Sequence, residues 1–175
     1  MSTSSRISST KGCDVAWRKP GKPPGDESLP VPSRLIVDAN ILVAAFLRDS
    51  TARRILTLSI VEFSAPALLF EELEPHLPSL RSRAGLSSRQ SSELLRLLRG
   101  CVNPVSEEFL RPFWNEAKEV MQGIDPRDAA YVAAARAVPC DGIWSDDVHL
   151  RRQALVPCWT TKELVLALRE GGFDF

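Results

Sequence analysis

The sequence predicts a single α/β domain built on a parallel sheet with helices on both faces. Three observations carry this expectation. Short apolar runs recur along the chain: RLIVD (34–38), IVEFSA (60–65), VNPV (102–105), DGIWS (141–145) and LVPCW (155–159). In the first, Leu35, Ile36 and Val37 are apolar without alternation, as in a strand covered on both faces. Helical patterns separate these runs, and strands alternating with helices are the mark of a parallel sheet. The length, 175 residues, suits one well-cored domain rather than two.

Each element has a local reason. After the first strand, Asn40 is placed to cap a helix over ILVAAFL, and Ser50 or Thr51 to cap a second over 50–58. Pro66 suits the first turn of the next helix, ALLFEELE, which Pro75 should end or kink. Residues 87–99 form an amphipathic pattern capped by Ser87 or Ser88 and stopped by Gly100. A further helix is expected over 106–121. Asp125-Pro126 opens an alanine-rich helix to about Ala137, a short helix lies near 147–154, and Thr160 or Thr161 caps the last, to Arg169.

Residues 1–33, rich in Ser, Pro, Gly and Lys, read as a flexible or disordered N-terminal tail, so the domain is expected over 34–175. No apolar run is long enough for a membrane span. The N-terminus lacks a signal-peptide core, so a cytoplasmic protein is expected. Cys13, Cys101, Cys140 and Cys158 stand far apart, which excludes zinc-ligand spacing and favours reduced thiols. Net charge is zero, so any attraction to nucleic acid must come from local clusters. Arg48, Arg53 and Arg54 form one; Arg81, Arg83, Arg89, Arg96 and Arg99 form another, to be weighed against ordinary solvated helix faces.

Chemistry points to four acidic stations: VDAN (37–40), FEELE (70–74), DPRDAA (125–130) and WSDD (144–147). In open parallel sheets, ligands bind outside the carboxyl ends of the strands, where Asp38 and the WSDD acids should emerge. In the second station, Leu68, Leu69, Phe70, Leu73 and Leu77 define an apolar arc. Glu71 lies opposite its centre, while Glu72 and Glu74 flank its edges; Glu72 is favoured because Glu74 sits at the helix end beside Pro75. In the third, Asp125 fits an N-cap, leaving Asp128 free to face a cleft. In the fourth, Ser145 can cap the next helix, with Asp146 and Asp147 in its first turn. Clustered carboxylates suit hard divalent cations such as Mg²⁺ or Mn²⁺, which assist hydrolysis of phosphodiesters. No Ser or Cys nucleophile arrangement and no glycine-rich phosphate loop competes, and His76 and His149 stand isolated in the sequence.

LIVDANILVAAF, PALLFEELEPH, DPRDAAYVAAA and IWSDDVHL together resemble the PIN domain family, in particular its VapC-like toxin ribonucleases, over roughly residues 34–169. The resemblance implies a three-layer α/β/α sandwich with a central parallel sheet and a Mg²⁺- or Mn²⁺-dependent endoribonuclease. It places the four family acids on Asp38, Glu72, Asp128 and Asp147, with Asp125 and Asp146 as accessory metal-site acids and Asn40 and Ser145 in support. Leu150 stands where the family often has Phe. The resemblance further implies an RNA substrate, a homodimer and a small antitoxin that silences the site. The basic helix 87–99 would then position RNA through Arg96 and Arg99. The alternative is a PIN-fold protein without a toxin role, either an RNA-processing nuclease or a non-catalytic binding module.

Overall fold

The computed structural model describes residues 30–47 and 50–174 of the chain. Five strands form one sheet: β1 (Arg34–Val37), β2 (Glu62–Pro66), β3 (Val102–Val105), β4 (Ile143–Trp144) and β5 (Cys158–Trp159). Their spatial order is β3-β2-β1-β4-β5, and every pairing is parallel. Helices flank this sheet, giving the expected α/β/α sandwich. The non-alternating run Leu35, Ile36 and Val37 is buried completely because β1 is the central strand.

The crossovers are α1 (Ala39–Phe46), α2 (Thr51–Leu56), α3 (Leu69–Leu73), α4 (Leu77–Ala84) and α5 (Ser88–Cys101) before β3. α6 (Glu107–Leu110), α7 (Trp114–Met121) and α8 (Ala129–Ala137) lead to β4. α9 (Val148–Arg152) and α10 (Thr161–Glu170) complete the chain. α8 lies against β1, β2 and β4, and its residues from Ala129 to Ala135 are all buried. Its alanines let the helix axis approach the sheet closely, which brings the start of α8 to the carboxyl edge of β1.

Several boundaries differ from the sequence expectation. Pro66 ends β2 instead of opening a helix, because Ala67 N–H donates to the Val105 carbonyl at 2.9 Å and prolongs the sheet. Pro75 acts as expected, and α3 ends before it at Leu73. Lacking an N–H, it sits in a 3₁₀ turn over Glu74–His76 that passes into α4, which Gly85 closes in a left-handed conformation (φ 64). Gly100 lies inside α5, which runs straight into β3 at Val102 (φ −126), so no left-handed residue is needed there. Pro112 breaks the helix expected over 106–121 into α6, a 3₁₀ turn over Arg111–Phe113, and α7. The strand expected from Leu155 shortens to Cys158–Trp159. The buried Gln153 side chain accepts from Leu155 and Val156 N–H and donates to the Val156 carbonyl, holding those residues in a loop.

Residues 1–29 and 48–49 lie outside the described residues, and with them most of the expected tail and Arg48. Entry into the fold precedes Arg34. Val31 packs on the core, Glu62 N–H donates to the Ser33 carbonyl (2.8 Å), and Asp141 Oδ2 accepts from Ser33 and Arg34 N–H. Among the described residues no helix is long and apolar enough to cross a membrane, and Cys101, Cys140 and Cys158 are free thiols.

Candidate active site

Sheet order decides where the acids meet. β1 connects to β2 on one side, and β4 returns to pair with β1 on the other, so a crevice opens at the carboxyl ends of β1 and β4. Asp38 follows β1 directly and is only 2 % exposed. Its Oδ1 accepts from Asn40 N–H at 3.4 Å and so caps α1, the role expected of Asn40. Asn40 is instead the second residue of α1, and its side-chain amide reaches Asp147 Oδ2 at 3.5 Å. Burial raises the Asp38 carboxyl above the ordinary carboxylate range, and the Asp147 charge adds to the rise. Hydrogen bonds from Ser145 and Asn40 oppose it.

From β4 come Ser145, Asp146 and Asp147. Ser145 is fully buried; its hydroxyl donates to Asp38 and accepts from Asp147 N–H at 2.9 Å. It is not the helix cap. That place belongs to Asp147, whose Oδ1 accepts from His149 N–H at 2.7 Å. Asp146 turns toward α10, where its carboxylate accepts from Thr161 N–H (2.8 Å) and the Thr161 hydroxyl (2.6 Å). The adjacent acids therefore part: Asp147 faces the crevice and Asp146 ties β4 to α10.

Two helix starts supply the rest. Glu72 lies on α3 beside Asn40 at the cleft, and burial together with the Asp38 charge raises its carboxyl. Glu74 is engaged elsewhere, pairing with Arg99 at 2.8 Å. Asp125 caps the 3₁₀ turn Pro126–Asp128. The Arg127 guanidinium beside it, with Arg127 N–H, holds its carboxyl down at about 2. Asp128 stands at the start of α8 with no cap bond to make. Burial, then the charges of Asp38, Asp125 and Asp147, push it up to about 6.

Asp38, Glu72, Asp128 and Asp147 thus come from four elements into one electrostatic neighbourhood, each linked to Asp38 by charge repulsion. The donor atoms are all oxygens, and a divalent cation would offset the burial and the mutual repulsion that raise three of these carboxyls, so the residues fit a hard metal ion. Among the described residues, the group whose ligand atoms all lie within 4.8 Å of one another is Asp125, Asp128 and His149, and of the four acids only Asp128 belongs to it. Sequence reasoning missed His149. Its signal was the position two residues after Asp147, which the capping of α9 turns toward Asp147 Oδ1 (3.3 Å). It missed Tyr131 as well. Three residues past Asp128 on the same helix face, the buried phenol meets the Ala39 backbone N–H and the charges of Asp38, Glu72 and Asp128, which add to its burial in raising its pKa.

The arginine clusters are partly consumed by structure. Arg53 donates to the Ala45 and Leu47 carbonyls, closing the end of α1. Arg99 pairs with Glu74 and covers the Phe70 ring, while Arg96 is exposed on α5.

The search of curated proteins finds no match to the chain. The family model described as PIN domain matches residues 36–169, the stretch that contains all five strands but the first two residues of β1, and all four acids. With that match over most of its length, the chain belongs to the PIN domain family, a family of nuclease-type function.

Proposed function

We propose that the chain is a Mg²⁺- or Mn²⁺-dependent endoribonuclease whose ion is held by Asp38, Glu72, Asp128 and Asp147. What supports this reading is that Glu72, Asp128 and Asp147 each act on the charge of Asp38, whereas Asp146 is bonded to Thr161 and Glu74 to Arg99. A divalent cation there supplies Lewis-acid assistance to hydrolysis of a phosphodiester. The chain's own residues orient the acids: Ser145 fixes one oxygen of Asp38, and His149 N–H fixes one oxygen of Asp147. Asn40 reaches the other Asp147 oxygen. Asp125 and His149 border the site as accessory groups.

The motifs LIVDAN and IWSDDVHL support a toxin role, in which a small antitoxin protein and a homodimer are the expected partners. Arg96 is the better candidate for a backbone phosphate on α5, since Glu74 and Phe70 already occupy Arg99. The test is cleavage of end-labelled RNA by the purified chain with Mn²⁺ and with chelator, beside Asp38→Asn. Metal-dependent cutting that the variant loses by orders of magnitude is expected. RNA left intact with Mn²⁺, or cut equally by Asp38→Asn, sinks the proposal. Growth arrest on induction, relieved by Asp38→Asn, is the expected sign of the toxin role.

A further inference from the structure

A cleft of about 370 Å³ opens from the acid cluster between α1 and the α3–α4 path. Glu72, His76, Ser79 and Arg83 recur along that path at i, i+4, i+7 and i+11, so they share one face and line one wall. The opposite wall is Ala39, Asn40 and Val43 of α1, of which Ala39 and Val43 give a partly exposed apolar surface. The cleft is polarised. Its inner end holds Glu72 and Asn40 beside Asp38, and its outer end holds Arg83. Neighbouring arginines are spoken for: Arg81 donates to Ser88, Arg89 pairs with Glu93 and Arg99 with Glu74. Arg83 has no hydrogen bond or ion pair among the described residues and is exposed.

We propose that this cleft is a subsite for single-stranded RNA leaving the metal site. Arg83 holds a phosphate beyond the scissile one, His76 and Ser79 line the path, and Ala39 and Val43 pack against the intervening sugar and base. The inference rests on the nuclease reading and extends it. Eleven helical residues separate Glu72 from Arg83, about 16 Å along the axis. Arg83 is therefore too distant for the scissile phosphate and suits a later one on the same strand. A free guanidinium presents a fork matched to phosphate oxygens and stays charged at every working pH. The order of charges along the cleft, acids then arginine, complements a strand whose scissile phosphate meets a cation and whose next phosphates need a positive partner.

The experiment is fluorescence anisotropy of a labelled single-stranded RNA oligonucleotide across a salt series without divalent metal. It uses the full chain, Arg83→Ala, Arg83→Glu, and Arg89→Ala as the control for lost surface charge. Arg83→Ala is expected to weaken binding about tenfold and to flatten the slope of log K against log salt by about 0.7, the effect of one single-strand phosphate contact. Arg83→Glu weakens it further, and Arg89→Ala binds as the native chain does. Equal affinity and slope in native and both Arg83 variants overturn the subsite, even where RNA is still cut; so does an equal loss in Arg89→Ala. Arg83-dependent binding by a chain that cuts no RNA upholds the subsite and removes the nuclease reading instead.

Discussion

The Ser145 hydroxyl donates a 2.7 Å hydrogen bond to Oδ2 of Asp38, and the pair spans 107 positions of sequence. Both groups are buried, so neither has water as an alternative partner. Ser145→Ala leaves the Asp38 carboxylate short of a donor and Asp147 N–H short of an acceptor. A buried bond to a charged group is worth about 1.5–3 kcal/mol, and a loss in that range is expected by chemical denaturation at neutral pH. Mn²⁺ affinity, read by titration calorimetry, falls with it. A variant as stable as the native chain would show that the two groups are not coupled in solution.

Three raised carboxyls set the direction of the pH response. Asp38, Glu72 and Asp128 favour the folded state when protonated, so their contribution is full below about 4 and lost as pH rises through the folded values, about 6 for Asp128. Asp125, held at about 2, works oppositely; its contribution is present above about 4 and lost only as pH falls toward 2. In chelator, Asp128→Asn should therefore melt a few degrees above the native chain at pH 7.5, with a margin that shrinks as pH falls and closes below about pH 4. Equal melting temperatures at pH 7.5 would refute the assignment.

Asp146 and Asp147 separate cleanly by substitution. Asp146→Ala removes two hydrogen bonds to Thr161 and is expected to cost about 1–3 kcal/mol while leaving Mn²⁺ affinity near the native value. Asp147→Asn should do the reverse, weakening Mn²⁺ binding about tenfold or more, equivalent to about 1.4 kcal/mol, with little change in melting temperature. Calorimetry on both variants decides between the two acids.

Tyr131→Phe removes one hydroxyl from the wall between α8 and α1 without changing shape. A buried polar group beside Asp38 and the Ala39 backbone is lost, and a stability loss of up to about 1 kcal/mol is expected. A denaturation midpoint unchanged from the native chain would show that the phenol bears nothing there.

Among the arginines of α5, Arg99→Ala should cost under about 1 kcal/mol, as an exposed ion pair does, and leave RNA affinity unchanged. Arg96→Ala should weaken RNA binding and lower its salt slope by about 0.7. The opposite ranking in a salt series would return Arg99 to the interface.

The sheet and the position of Asp38 were legible because burial on both faces writes itself as an unbroken apolar run. That Glu72 lines the cleft was legible because helical periodicity sets Glu71 apart and Pro75 sets Glu74 apart. The fate of Asp146 was not, since it depends on Thr161, 15 residues downstream, and local pattern carries no trace of that bond. Capping was misread twice, at Asn40 and Ser145. In both cases several residues in a row are able to cap, and the bond to a distant strand chose among them. Pro66 looked like a helix opener until pairing of Ala67 with Val105 extended the sheet past it.

The strand order also sets a schedule. β1 emerges early in synthesis, but its second neighbour, β4, follows more than a hundred residues later. A nascent chain that has reached only β3 carries Asp38 and Glu72 and nothing to complete them. Domains fold as units once their elements have left the ribosome. The acid set therefore closes only after β4 has been made, more than a hundred residues behind Asp38.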